Sequence, residues 1–306
     1  MIDSFRKAKA WTILPIFLVI GGSPLSAAPG RPATFWKSIV EHQFEVPANE
    51  SAGALALEVA DLAASTDPAL RDGCGYDILA RWIYQDHRLG PAELEVLRKK
   101  LIPAMTGHIG EFGNDSIFSR SFSGLYMSLL AAEDLQKPFM SPDAFKETLA
   151  TGLRCYAGEK DLRGYVPVKG WAHATAHVAD LLKFLSRNEK LSVEQQNQIV
   201  AAIMQRCRTT GLVFTWGEDA RMAAALLSLV NRKDFDASSF EKWFQSLPDE
   251  NKALWSAPAI DPKVYASVRA QGNVLTHLAA KIAAQKESNV PAAFRDALTA
   301  TLAQVN

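Results

Sequence analysis

Two histidines and an aspartate, His173, His177 and Asp180, stand four and three residues apart in the stretch GYVPVKGWAHATAHVADLLKFL, from Gly164 to Leu185. Side chains at those spacings meet on one face of a helix. Two imidazoles a turn apart begin a zinc site, and a carboxylate one turn on either ligates or orients an imidazole. The chemistry open to such a set is ligand binding, metal binding or metal-assisted hydrolysis. HATAH is nevertheless not the metalloprotease motif HEXXH. Ala174 stands where the general-base glutamate would be, and a third ligand has to come from another helix.

At about 100° per residue, a helix through this stretch carries two stripes. Trp171, Ala174, Val178, Leu181, Leu182 and Leu185 form an apolar stripe that faces a core, and His173, His177, Asp180 and Phe184 form the other. Three readings of the second stripe stand open. It bonds to a neighbouring helix, with Asp180 holding a histidine tautomer. It lines a groove that takes a small molecule or a protein partner. Or His173 and His177 bind a divalent metal such as zinc. A working surface requires the stripe to face a cavity.

Other polar residues join as candidates. Arg120 lies among Ser119, Ser121 and Ser123 and suits either an anion or an ion pair with Asp115. No G-X-S-X-G elbow surrounds these serines, so no nucleophile with a matched base is visible. Glu218 and Asp219 follow Thr215, and Thr215 with Glu218 fits a capping box that starts a helix. Either acid, facing Asp180 across a cleft, makes the carboxylate pair of a glycosidase. The seven tryptophans suit a sugar-binding groove or, as bulky aromatics, core packing.

The elements that must position these residues are helices. Apolar positions recur at three and four rather than two. The pattern predicts helices over 51–64, 69–84, from Pro91 towards Gly110 with a kink or end at Pro103, over 117–134, from Ser141 to Cys155, through the histidine stretch, and over 192–208, 219–231, 238–245, 262–284 and 291–304. Pairs recur at roughly the 40–47-residue spacing of HEAT and armadillo units. The expected fold is all-α, one domain of stacked helical hairpins over residues 29–306, curved or closed.

Several of these segments together resemble the bacterial family known as domain of unknown function 2785. They are YDILARWI from Tyr76, DSIFSRSFS from Asp115, RGYV from Arg163, KGWAH from Lys169, HVADLL from His177 and GEDAR from Gly217, and the resemblance spans about 68–280. It implies a helical, HEAT-like fold and no particular activity.

Charge narrows the function classes. Lys and Arg total 33, matched by 33 Asp and Glu, so there is no basic field for nucleic acid. Only Cys74, Cys155 and Cys207 are present, enough for one disulfide at most, and sparse cysteines usually pack as small apolar groups. The reading is therefore a protein that binds a ligand or partner in a groove lined by His173, His177, Asp180, Arg120, Glu218 and Asp219. The alternative is a metal-dependent or carboxylate-based hydrolase.

The first residues carry an address. Arg6, Lys7 and Lys9 precede an apolar run from Trp11 to Ile20, followed by Gly21, Gly22 and Pro24 and by Ser26-Ala27-Ala28. That is the order of a cleaved Sec-type signal over 1–28. The run is about half the 20 residues that a bilayer requires, so no stable membrane anchor is expected. The protein should be periplasmic or secreted. Intact mass of the exported chain is expected to place its first residue near Ala28 or Pro29; a retained Met1 in that fraction would contradict export by cleavage.

Overall fold

Apolar spacing of three and four turns into helices throughout the residues that the computed structural model describes, 30–287 and 289–305. The signal segment expected over 1–28 lies outside them. In chain order the helices are α1 (Ala33–Glu41), α2 (Ala52–Asp61), α3 (68–85), α4 (Pro91–Thr106), α5 (Ser116–Gln136), α6 (Pro142–Gly158), α7 (Ala174–Leu185), α8 (Val193–Thr209), α9 (Glu218–Val230), α10 (Ser238–Ser256), α11 (Pro262–Ala283) and α12 (Ala292–Ala303). Among the described residues the strands are two short ones, β1 (Tyr165–Val166) and β2 (Gly170–Trp171), paired antiparallel. The all-α expectation holds. From Pro32 onwards the described residues form one compact unit, and no described helix is long and apolar enough to cross a membrane.

Helix starts follow local chemistry. Ser51, Asp67, Ser141, Ser192 and Asp261 each accept a first-turn backbone N–H, replacing a bond the helix itself cannot make there. Three expected boundaries move. Pro103 does not end α4, which runs on to Thr106, and α10 continues through Pro248 to Ser256. The Thr215 capping box does not form. Gly217, at φ +87°, precedes α9, and Glu218 accepts from Trp216 N at 2.9 Å instead.

Packing alternates along the chain. α5, α7, α9 and α11 form one row, each against the next, and α4, α6, α8 and α10 form a second. The α5–α7 contact is the most extensive of all. Cys74, Cys155 and Cys207 are buried and free. Burial pushes the Cys155 and Cys207 thiols up to about 12, so they serve as small apolar groups.

In α3, π turns at Arg71–Tyr76 and Ala80–Gln85 flank a short α segment. A π turn leaves a carbonyl out of register. Here the Arg71 carbonyl accepts from the Tyr126 hydroxyl of α5 at 2.8 Å. Gly75 makes the approach possible, since a Cβ there would lie 2.1 Å from that hydroxyl. Tyr126→Phe, which removes this buried hydrogen bond, is expected to cost about 1 kcal/mol in urea denaturation. Gly75→Ala should cost more in the wild type than in Tyr126→Phe, where its hydroxyl clash is gone. Strictly additive costs would contradict the contact.

Candidate functional site

The chain between α6 and α7 folds back on α3 and α5, and a few polar bonds hold it there. Ala172 N donates to Gly164 O at 2.8 Å and His173 N to Arg163 O at 2.9 Å, extending the β1–β2 hairpin. Arg71, fully buried in α3, donates from Nη2 to Lys169 O at 2.7 Å. Its guanidinium lies 4.3 and 4.5 Å from the ring centres of Phe118 and Phe122. Gly170 stands where the hairpin crosses α3. Its φ is +76°, and a Cβ would come within 2.9 Å of Pro68 and 3.1 Å of Arg71 Nη2. At its outer side Lys169 Nζ pairs with Asp115 at 2.7 Å.

His173 then reverses the chain in the left-handed region, φ +52°, and α7 begins at Ala174. Trp171 and His173 therefore precede the helix that the periodicity carried through them. A non-glycine residue pays little for this conformation when it is histidine, one of the types enriched there. The consequence is a change of direction. The His173 ring stacks on Trp171, centroids 4.9 Å apart at 27°, and lies 5.6 Å from the His177 ring.

His177 is inside the α5–α7 interface. Its ring meets Phe122 edge-on at 4.8 Å, and Nδ1 lies 2.7 Å from Ser121 Oγ. Ser121 has one proton, which it donates to the Ala172 carbonyl, so it accepts from His177 Nδ1–H. This network assigns the tautomer with its lone pair on Nε2. Burial, then the neighbouring His173, Arg221 and Arg71, hold the His177 imidazole well below its ordinary range. The ring is neutral at physiological pH.

His173 is 8% exposed, and its Nε2 is buried without a hydrogen-bond partner. The nearest acid is Glu218, whose Oε1 lies 3.6 Å away, too far for a good hydrogen bond. Burial first, then Arg221, lower the His173 imidazole to about 4, against a raising effect of Asp180 and of the Trp216 backbone. Glu218 is 2% exposed, and burial raises its carboxyl above the usual range. Both members of the pair are thus biased towards the uncharged form.

The remaining candidates divide. Asp180, 4% exposed, bonds to Arg221 of α9 and, at 3.2 Å, to Lys183, which ties α7 to α9 beside the histidines. Asp219 caps Ala220 N at 2.8 Å and turns to His277, 3.5 Å away. Arg120 is paired neither with Asp115 nor with an open groove. Its guanidinium forks onto Glu159 at 2.6 and 3.1 Å and donates to Ser116 Oγ and to the His108 and Glu111 carbonyls. Among the described residues no group of three or more His, Cys, Asp and Glu side chains is placed to hold a metal ion. Among those residues no third His, Cys, Asp or Glu side chain stands with His173 and His177 to complete a zinc site.

What the patterning missed is aromatic. Trp36, Trp82 and Trp243 are core, but Trp171, Trp216 and Tyr165 are 36%, 50% and 48% exposed and touch one another. Tyr165 to Trp171 is 5.2 Å between centroids, Trp171 to Trp216 5.8 Å and Tyr165 to Trp216 6.3 Å. Trp216 lies directly on Gly164, where a Cβ would fall 2.1 Å from its Cδ1. The sequence signal was a glycine next to an aromatic in two loops, Gly164-Tyr165 and Trp216-Gly217, and glycine is what close approach requires.

The family described as "Protein of unknown function (DUF2785)" matches residues 105–279, more than half of the chain. The match takes in the histidine stretch and the Gly217–Arg221 segment but starts after the Tyr76 motif. No curated protein and no solved structure matches.

The buried imidazole of His173 has a pH signature. Lowered in the fold from 6.5 to about 4, it binds fewer protons folded than unfolded between those values. Stability is then lost as pH falls from about 6.5 to about 4, by roughly 3 kcal/mol in all. Glu218, shifted upwards, has the opposite sign: its contribution is present below its ordinary value and fades as pH rises through the folded one. The difference between wild type and His173→Gln in urea denaturation from pH 7 to pH 4 isolates the imidazole. The wild type should lose the more stability; parallel curves would contradict the burial of a neutral ring.

Proposed function

The chain belongs to DUF2785, whose description names no activity, and we propose one from the geometry: an exported protein, built on HEAT-like helical hairpins, that binds a saccharide on the platform of Tyr165, Trp171 and Trp216. The observation that carries this is the cluster of three half-exposed rings beside a desolvated His173–Glu218 pair. Aromatic rings left facing water beside a few polar groups are the usual make-up of a binding site for ring-shaped ligands. Trp216 lies against Gly164 and is half exposed, which leaves part of the ring for a ligand. Trp171 meets Tyr165 and Trp216 edge to face, at 80° and 79°, so the rings close on one another and leave no box between them. A cation cage needs faces standing about 4–6 Å from the ion on several sides. A flat neutral ring with hydroxyls at its edge fits the platform, with its apolar face on Trp216 and its hydroxyls towards the polar groups around Glu218 and Arg221.

Hydrolysis is the weaker reading. Glu218 has the raised proton affinity of a general acid, but a glycosidase uses two carboxylates. Asp180 is neutralised by Arg221 and Lys183, and Asp219 is turned towards His277.

Titration calorimetry and tryptophan fluorescence with neutral hexose and N-acetylhexosamine oligomers test the proposal. Trp216→Ala should weaken binding by about tenfold, the loss of one good stacking contact. Gly164→Ala, which displaces the Trp216 ring without removing it, should do the same. Binding by the wild type to none of these oligomers would overturn the reading.

A further inference from the structure

The first turn of α7, which carries no side-chain cap, borders a cavity of about 10 Å3, the space that one water-sized atom needs. Ala174 and Thr175 of that turn line it, together with Tyr156, Glu159, Arg120 and Arg206. Three of the lining residues have a buried polar atom with no partner: Tyr156 Oη, Thr175 Oγ1 and Arg206 Nε. These residues are 2%, 5% and 7% exposed. Leaving such atoms unpaired in the interior is costly, and three of the nine residues that line this space carry one.

All three can donate to one acceptor, although the two hydroxyls can also accept. Arg206 Nε–H can only donate, and both hydroxyls have a proton to give. The Arg206 guanidinium also lacks an acid. Nη1 donates to the Glu159 carbonyl at 2.9 Å, and among the described residues no carboxylate forms an ion pair with it. Glu159, the acid in the lining, is already matched by the fork of Arg120 at 2.6 and 3.1 Å. One positive charge is left over. The start of α7 adds to it, because first-turn N–H groups and the helix dipole favour an anion.

We infer that this cavity binds a single halide ion, chloride under ordinary conditions, held by Arg206 Nε–H, the Tyr156 and Thr175 hydroxyls and the first turn of α7. Chloride is itself larger than a water molecule, so the lining has to yield slightly to admit it; phosphate, sulfate and carboxylates, with several heavy atoms each, are too large for the space. A water molecule would satisfy the hydroxyls and leave the Arg206 charge uncompensated. The ion would cap the helix whose preceding residue, His173, sets the turn beneath the platform.

Thermal melts of the mature protein at fixed ionic strength, with chloride or bromide replacing gluconate, test the site. The midpoint should rise with halide concentration as for one ligand bound by the folded state. Tyr156→Phe should weaken the apparent halide affinity by about tenfold or more, as expected for a bond to an ion, and Arg206→Met should abolish the dependence. If Arg206→Met does not fold, Tyr156→Phe carries the comparison. Crystals soaked in bromide should show an anomalous peak between Arg206 Nε and Tyr156 Oη. A midpoint indifferent to halide, equal halide shifts in wild type and Tyr156→Phe, or a water without anomalous signal at that point would overturn the proposal.

Discussion

The hydroxyl of Ser121 holds the site together. It donates to the Ala172 carbonyl and accepts from His177 Nδ1, so a loop, α5 and α7 meet at one oxygen. Without that bond the Ala172 carbonyl and a buried imidazole nitrogen would both be unpaired in a low-dielectric interior, where the cost is greatest. The bond also fixes where the chain stands one residue before its left-handed turn at His173. The direction of His173, its stack on Trp171 and the start of α7 all follow from that turn. The motif that looked like a metal-binding pair is, at His177, a structural bond that orients the next residue of interest.

Buried and partly buried arginines do similar work for the loops. Arg71 bonds the Ser65 and Lys169 carbonyls, Arg120 those of His108 and Glu111, Arg206 that of Glu159 and Arg232 those of Ser186, Asn188 and Leu191. Loop carbonyls in a helical protein have no strand to pair with, and a guanidinium offers several donors in a fixed plane. Most of these arginines also have an acid: Asp72 for Arg71, Glu159 for Arg120, Asp234 for Arg232. Arg206 departs from the pattern, and it does so at the uncapped start of α7.

The candidate site thus separates into a dry part and an open part. His173, His177, Asp180 and Glu218 are all buried, and their charges are suppressed or matched. Tyr165, Trp171 and Trp216 face water. On the proposed reading the rings would govern binding, while the buried polar groups hold the loops that carry them.

Much of the fold was legible in the sequence. Periodicity of three and four, serine and aspartate caps and prolines at first turns are local, and local energetics decides them. The family likeness was legible too, because it rests on short runs of residues such as the one around His177. Where local rules failed, a tertiary bond had prevailed: the periodicity ran helix through Trp171 and His173, but the bonds of Ala172 and His173 to Gly164 and Arg163 hold those residues in a hairpin and a left-handed turn. The candidate residues were named by type and spacing, and neither tells which way a side chain faces. That Arg120 meets Glu159, 39 residues away, and not Asp115 depends on how α6 ends beside α5. That three of the seven tryptophans are core while Trp171 and Trp216 lie open depends on which surfaces other helices cover. Spacing along the chain determines which residues share a face; only the packing of distant elements decides whether that face meets protein or water, because burial is a property of the neighbours and not of the segment.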